Sequence, residues 1–487
     1  MKRIFSSAIF PLAAGLCLRL FFVLEFPASS GDSVLYEQIA ENWLKHHVYG
    51  MDVHGGLTAV DLRMPGYPAF LALIYALTGR TGEAARFWLM LAQIAVDLLG
   101  CLVIAWLARI LACASENDSR GKRAYTASLW MAALCPFTAN YTAVPLTEVF
   151  ACLWTGLACS VLIVALLRVK KPDFLVKGWP MPLGRSAEYA ALGAGLTVGI
   201  GTLFRPETPI LLLTAAVVFG ALFFSIDSME RWFWVTLAMM MGCFAMLSPW
   251  ALRNLVTLGE PQFLTSKYST LPGEIVPYGF MAWEKTWLYR FRDCYLVPWK
   301  LNEERINLDD IPARAFDFPE EKQRIAAILE QYNRNLTLTL DEDDAFGQIA
   351  LERAARHPLR THLWIPAARA VVIWFTPRIE LLPISGHVFP LGDRYEEDPA
   401  DQGFTILLFL LNVFYFGLGG WGAARLWRSS TVVRPAAAFL ILFLLLRTAF
   451  LTTLETPEPR YVLVCFPALI AMGAQLFVGE FKRPLAN

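Results

Sequence analysis

An aspartate and an arginine in one polar loop are the residues of this chain best suited to chemistry. The loop runs from Ser29 to Pro68, follows a single apolar segment, and reads SSGDSVLYEQIAENWLKHHVYG at its start and DLRMPGYP at its end. Asp32 lies just past the apolar run, and Arg63 lies just before a Pro-Gly-Tyr-Pro turn. A carboxylate can take a proton from a hydroxyl as that oxygen forms a bond, and a guanidinium offers a planar fork to a phosphate. Held together at a membrane surface, the pair would act on the two ends of one bond, the acid on an acceptor hydroxyl and the base on a lipid-linked phosphate. Beside lipid, the carboxyl pKa should rise and make Asp32 a better proton acceptor.

Each residue also has a plainer reading. Tyr36, Ile39, Ala40, Trp43 and Leu44 recur at helical spacing, so an amphipathic helix lies in the loop and Asp32 stands near its amino end. An aspartate there can be an N-cap with no chemistry. Arg63 can anchor at lipid headgroups.

Composition decides what must position these residues. Hydrophobic residues make up 56% of the 487 and charged ones 17%, and mean hydropathy is positive, which places the chain among polytopic membrane proteins. The formal net charge is zero, so no basic surface points to nucleic acid. Eight of the nine cysteines lie in or beside apolar runs, leaving Cys294 alone in a large loop, so no disulfide framework or Cys-x-x-Cys metal spacing is present.

Apolar spans are expected from the N terminus to Phe26 and near 84–111, 124–144, 148–167, 187–204, 208–225, 232–251, 403–424, 435–452 and 461–479. Two shorter stretches, 67–79 and 362–376, are weaker candidates for crossing ~30 Å of hydrocarbon, and if both crossed, the Arg120 and Lys170 loops would fall outside. Basic clusters at Arg120, Lys122 and Arg123, at Arg168, Lys170, Lys171, Lys177 and Arg185, at Arg425, Arg428 and Arg434, and at Lys482 and Arg483 fall on the side of Lys2-Arg3 only if neither short stretch spans. The expectation is ten spans with both termini cytoplasmic. The turn Ser225–Arg231 fits this poorly, since it carries Asp227 and Glu230 against Arg231. Three parts follow: a transmembrane module at 1–252 with its first external loop at 27–68, an external insertion at 253–402 with an interfacial helix, and a transmembrane module at 403–487.

On this topology the unusual charges gather outside. Glu148 opens a span, as a capping carboxylate or as an acid facing the side of Asp32. Arg205 and Glu207 form a turn whose plain reading is an interfacial pair. Trp250, Arg253 and Asn254 read as an ordinary aromatic and basic anchor. The last external turn, Glu455-Thr456-Pro457-Glu458-Pro459-Arg460-Tyr461, packs charges and prolines between apolar runs, and Arg460 and Tyr461 open the final span. Arg19 lies inside the first span and must snorkel or face the interior.

The insertion carries helical runs at Pro319–Asn333 and Asp344–Arg356. No histidine stands in a nucleophile-elbow context, and no Gly-rich phosphate loop occurs on the cytoplasmic side. His46, His47 and His54 lack the spacing of a metal site. Asn335-Leu336-Thr337 matches a glycosylation acceptor by pattern alone.

The order of these elements resembles the GT-C membrane glycosyltransferases, in the branch of the protein O-mannosyltransferases and the lipid A aminoarabinose transferase (glycosyltransferase 39-like). The likeness rests on Arg19 in the first span, Asp32 with Tyr36 and Ala40, the Arg-x-Pro-Gly-Tyr-Pro of 63–68, Arg86 and Gln93, Pro136, Thr147-Glu148, Arg205-Pro206, Pro249-Trp250 with Arg253-Asn254, and Arg460-Tyr461 with Pro467. It covers about 10–260 and the last hundred residues.

The resemblance implies an all-α, GT-C-like bundle of about ten transmembrane helices, with interfacial helices in the first external loop and a mostly helical external insertion. It implies inverting transfer of a sugar from a polyprenyl-phosphate donor to a lipid, glycan or protein acceptor, at the periplasmic face of a bacterial inner membrane. Asp32 would be the catalytic carboxylate. Arg63, Arg205 and Arg460 would bind the donor phosphate, and Tyr36, Tyr67, Glu148, Glu458 and Tyr461 would line the cavity. No protein metal ligands are expected, although a divalent ion can take part in such reactions. The chain departs from eukaryotic mannosyltransferases in lacking a second acid after Asp32 and a soluble repeat domain. A transporter or flippase for a lipid-linked or amphiphilic solute is the alternative, but no internal repeat appears.

Overall fold

A computed structural model describes residues 2–53, 55–114, 118–171, 174, 186–224, 228–265, 274–378, 380–384, 388 and 398–479, with side chains from residue 8 onward. His54, Lys177, Arg185, Asp227, His387, Lys482 and Arg483, and the side chains of Lys2 and Arg3, lie outside the described residues.

The chain is an all-α polytopic membrane protein whose one sheet among the described residues is a two-stranded hairpin. In chain order the first elements are α1 (Lys2–Glu25), α2 (Gly31–His46), β1 (Gly50–Val53), β2 (Gly56–Ala59), α3 (Gly66–Thr78), α4 (Glu83–Cys113) and α5 (Asp118–Ala133). Then come α6 (Pro136–Ala139), α7 (Glu148–Lys170), α8 (Ala187–Thr202), α9 (Ile210–Phe224) and α10 (Met229–Leu258). Among the described residues seven helical segments are long and apolar enough to cross a bilayer: Ala8–Glu25, α4, α7, α10, Pro399–Trp427, Arg434–Thr452 and Pro459–Val478.

The other three expected spans are also helical but shorter. Helices α8 and α9 have 16 and 15 residues, or ~24 Å and less of rise. The stretch expected at 124–144 is not one helix: α5 ends at Ala133, and 136–143 forms α6 and a 3₁₀ turn. Pro136 cannot donate a backbone hydrogen bond, so the ladder stops there. The residues after it are buried in protein, including Thr138, Asn140 and Thr142. The short stretches at 67–79 and 362–376 become the 13-residue α3 and an 11-residue helix, Ile365–Phe375, entered through a π-helical turn.

The buried core of the bundle runs through α4, α7 and the final helix, where small residues permit close approach. Gly422, for example, leaves no space for a Cβ against the Met472 carbonyl. Arg19 faces inward: its Nε donates to Asp97 at 2.6 Å, and one terminal nitrogen donates to the carbonyls of Gly15 (2.8 Å) and Ala133 (2.7 Å). This sealed pair locks α1 to α4 and α5.

The insertion has its own apolar core, built on Phe280, Trp283, Trp287, Ile325, Leu329 and Phe346. Its helices Pro319–Asn335 and Leu340–Arg356 correspond to the two runs expected there. Arg353, Arg356 and Arg360 converge on Asp317 and Glu321 to pin their ends.

Candidate active site

The first loop is folded so that its two ends meet. Ser30 caps α2 and, with Ser33, closes a capping box. Asp32 is therefore not the cap. It occupies the second helical position, and its carboxylate is released for other partners. The hairpin β1–β2 then carries the chain back toward α2. Arg253, read from sequence as a headgroup anchor, instead holds this return in place. Its guanidinium lies over the rings of Tyr49 and Trp250 and donates to the carbonyls of Tyr49 (2.6 Å) and Val60 (2.9 Å).

Gly66 makes the closest approach. Its N–H donates to the Leu203 carbonyl at 2.7 Å, and a Cβ there would stand 2.6 Å from that same oxygen. The Pro-Gly-Tyr-Pro turn is thus docked on the α8–α9 turn that carries Arg205. Tyr67 reaches the other way, its hydroxyl donating to Gln93 at 2.7 Å while Gln93 donates to the carbonyls of Thr142 and Val144. Arg86 grips Glu37 with two hydrogen bonds, 2.8 and 2.9 Å, and fixes α2 on α4.

These contacts bring all nine residues picked from the sequence into one cluster. Asp32 receives Arg63 on one oxygen (2.7 Å) and Arg460 on the other (2.9 Å). Arg460 also lies 2.5 Å from Glu458 and 4.0 Å from Glu148. Arg205 lies 3.6 Å from Glu148 and 3.1 Å from Glu207. The Tyr461 hydroxyl donates to Glu458 at 2.7 Å, and the Arg205 and Arg460 guanidiniums both lie over its ring at 5.4 Å. Arg63 lies over the Tyr36 ring, which meets Tyr67 edge to face.

Glu148 is not a capping carboxylate. It is buried, and among the described residues neither of its oxygens receives a hydrogen bond. A buried acceptor without a donor is costly, so this carboxylate has capacity for an incoming hydroxyl.

The expected rise in the Asp32 pKa is overturned. Burial does push it up, but the charges of Arg460 and Arg63 outweigh that and hold it below the ordinary aspartate range. Its side chain keeps 30% of its surface exposed. Glu207 behaves likewise: burial raises it, Arg205 and Arg447 bring it down to about 2. Burial pushes the Tyr36 hydroxyl up to about 12.

Several members were not picked out as site residues. Glu207 forms the expected pair with Arg205 but also accepts from Arg447 at 2.9 Å, which joins it to the cluster. Arg447 is buried within the apolar Arg434–Thr452 helix, and an arginine in such a run was itself a readable signal. Glu380 accepts from the Tyr141 hydroxyl at 2.5 Å, and burial raises its pKa against the influence of Arg378 and Arg460. No sequence spacing announces that contact.

Among the described residues no three His, Cys, Asp or Glu side chains converge as a metal site. The acids of the cluster alternate with arginines instead. His46 and His47 end α2, exposed.

No family model matches the sequence, and no curated protein matches it. Solved structures do. The chain is similar to the oligosaccharyltransferase AglB of Archaeoglobus fulgidus, in complex with an inhibitory peptide and a dolichol-phosphate, at 14% identity and TM-score 0.48, over 97% of this chain and 50% of that one. It is similar to ArnT of Cupriavidus metallidurans in the apo state (14% identity, TM-score 0.39, 96% and 76% covered). ArnT bound to undecaprenyl phosphate matches at 14% identity and TM-score 0.37, over 96% of this chain and 77% of that one. This chain spans about half the length of AglB.

The ends of the bundle differ in charge. The cluster sits where α1, α8 and the Arg434–Thr452 helix end and where α7 and the last segment begin. Lys170, by contrast, closes α7 and donates to the Thr431 carbonyl at the opposite end, near Arg428 and Arg434.

Proposed function

We propose that the protein is an inverting glycosyltransferase that moves a sugar from a polyprenyl-phosphate donor to a hydroxyl-bearing acceptor. The observation that carries this reading is the two-sided grip of Arg63 and Arg460 on Asp32. A carboxylate able to take a proton and two guanidiniums able to hold a phosphate are neighbours at one end of a membrane bundle.

The donor phosphate would bind Arg63 and Arg460, with Arg205 beside them, through charge-assisted hydrogen bonds. The acceptor oxygen then attacks the anomeric carbon, the bond from that carbon to the phosphate oxygen breaks, and its electron pair leaves with the phosphate. The acceptor proton passes to Asp32. In the ligand-free site Asp32 is a poor base, because both of its oxygens are held by cations. A phosphate that draws the guanidiniums away removes the influence that lowers its pKa, so basicity returns once donor is bound. Glu148, with its unsatisfied oxygens, would receive a hydroxyl of the sugar or the acceptor. Glu458 and Tyr461 would orient Arg460.

The charge pattern supports an enzyme rather than a transporter. Transporter sites lie near the bilayer midplane, whereas here the interior pair Arg19–Asp97 is sealed and the open cluster lies at one end. With the basic loops taken as cytoplasmic, the cluster faces the periplasm.

The test is incubation of purified protein with a panel of undecaprenyl-phosphate sugars and hydroxyl-bearing acceptors, reading release of undecaprenyl phosphate, with nucleotide sugars as control donors. Release from at least one lipid donor and none from nucleotide sugars is expected. Turnover of a nucleotide sugar alone would remove the proposal.

A further inference from the structure

The insertion presents an aromatic platform beside the ionic cluster. A 3₁₀ turn, Phe291–Tyr295, and the next, Pro298–Lys300, bury Cys294 and Val297 in the insertion core while Tyr295 and Trp299 remain 47% and 41% exposed. Their rings meet edge to face at 4.5 Å, and Phe291 backs both at 5.4 and 5.5 Å. Three mutually braced rings of this kind are a rigid surface. The turn that carries them is fixed by the ion pair of Asp293 with Arg314.

The platform is tied to the candidate site by named contacts. Arg369 donates to the carbonyl of Leu288 at 2.6 Å and to those of Leu454 (3.0 Å) and Thr452 (3.3 Å). Lys285 pairs with Glu455 at 2.6 Å. The segment entering the platform is therefore fastened to the turn that leads into Glu458 and Arg460. The charges of Glu380, Glu458 and Arg460 reach the Tyr295 hydroxyl, whose pKa burial and the two acids raise to about 12.

We infer that Tyr295 and Trp299 form an acceptor subsite that stacks a carbohydrate ring and places its hydroxyl toward Asp32, which makes the acceptor a glycan. The inference rests on the glycosyl-transfer reading and adds the class of acceptor. The electron-rich faces of these rings suit the C–H face of a pyranose. The phenol and the indole N–H suit its hydroxyls, with the charges of Glu380 and Glu458 nearby. An acyl chain on the same rings would leave those charges against hydrocarbon, which is unfavourable.

The experiment uses the full chain in nanodiscs of phosphatidylethanolamine and phosphatidylglycerol on an array of neutral hexose and hexosamine oligosaccharides. The wild type binds a subset. The double variant Tyr295→Ala/Trp299→Ala should bind that subset about tenfold or more weakly, the factor that corresponds to ~1.4 kcal/mol of lost stacking. Trp299→Phe, which keeps a ring, retains most of the binding. Undecaprenyl phosphate binding, measured in parallel, is unchanged in both variants and depends on Arg63. No glycan bound by the wild type, or equal binding by the double alanine variant, overturns the subsite while leaving the donor reading intact. Undecaprenyl phosphate binding indifferent to Arg63 strikes the donor reading instead.

Discussion

Asp32 and Arg460 are separated by 428 positions in the chain and by 2.9 Å in space. The contact joins the first polar loop to the last, so the site exists only when both ends of the bundle's sequence are packed together. Arg460 reaches three acids, Asp32, Glu148 and Glu458. Its replacement should therefore affect more than donor binding.

Arg63→Ala is expected to raise KM for a lipid-linked sugar with a smaller effect on kcat, whereas Arg460→Ala should lower kcat as well. Arg460→Lys should restore little, because an ammonium lacks the fork that reaches several carboxylates at once. Steady-state kinetics with an undecaprenyl-phosphate sugar separates the two. Equal, pure KM effects for both would mean that Arg460 does not position the acids.

The Arg19–Asp97 pair should be purely architectural. Asp97→Asn leaves a buried guanidinium without its counter-charge, a change that typically costs ~3–5 kcal/mol. The paired replacement Arg19→Met/Asp97→Leu should recover most of the loss. Thermal unfolding in detergent distinguishes these. A stable single variant would show that the pair is not sealed.

Acid should weaken the cluster in a defined window. Glu207 is held down to about 2, against an unfolded value of ~4.3. A group whose folded pKa is depressed stabilises the fold above the unfolded value and loses that contribution as pH falls through the folded one. The wild type should therefore lose stability between about pH 4.3 and 2, and Glu207→Gln should be less stable at neutral pH and flatter across that range. Chemical unfolding at several pH values reads this directly. Parallel slopes for the two proteins would exclude Glu207 as the titrating group.

Much of this was legible in residue order because membrane proteins write their constraints plainly. Arg19, Asp32, Arg63 and Arg460 stand out since charge beside an apolar run is expensive and needs a reason. What was not legible depended on contacts between distant segments. The Asp32 pKa falls rather than rises because two guanidiniums from other loops arrive at its carboxylate. Arg253 holds the first loop because the hairpin returns its carbonyls to α10. The helix expected at 124–144 breaks at Pro136, a signal present in the sequence and outweighed by the apolar run around it. Tyr141 and Glu380 lie 239 positions apart, and no periodicity links them.

Asp32 is expected to take the acceptor proton. It is read by single-turnover release of undecaprenyl phosphate by Asp32→Asn with lipid-linked sugar and a hydroxyl-bearing acceptor that the wild type uses, alongside the wild type at matched thermal stability. The rate should be lower by about 10² or more, with undecaprenyl phosphate binding retained. A rate equal to the wild type would contradict it.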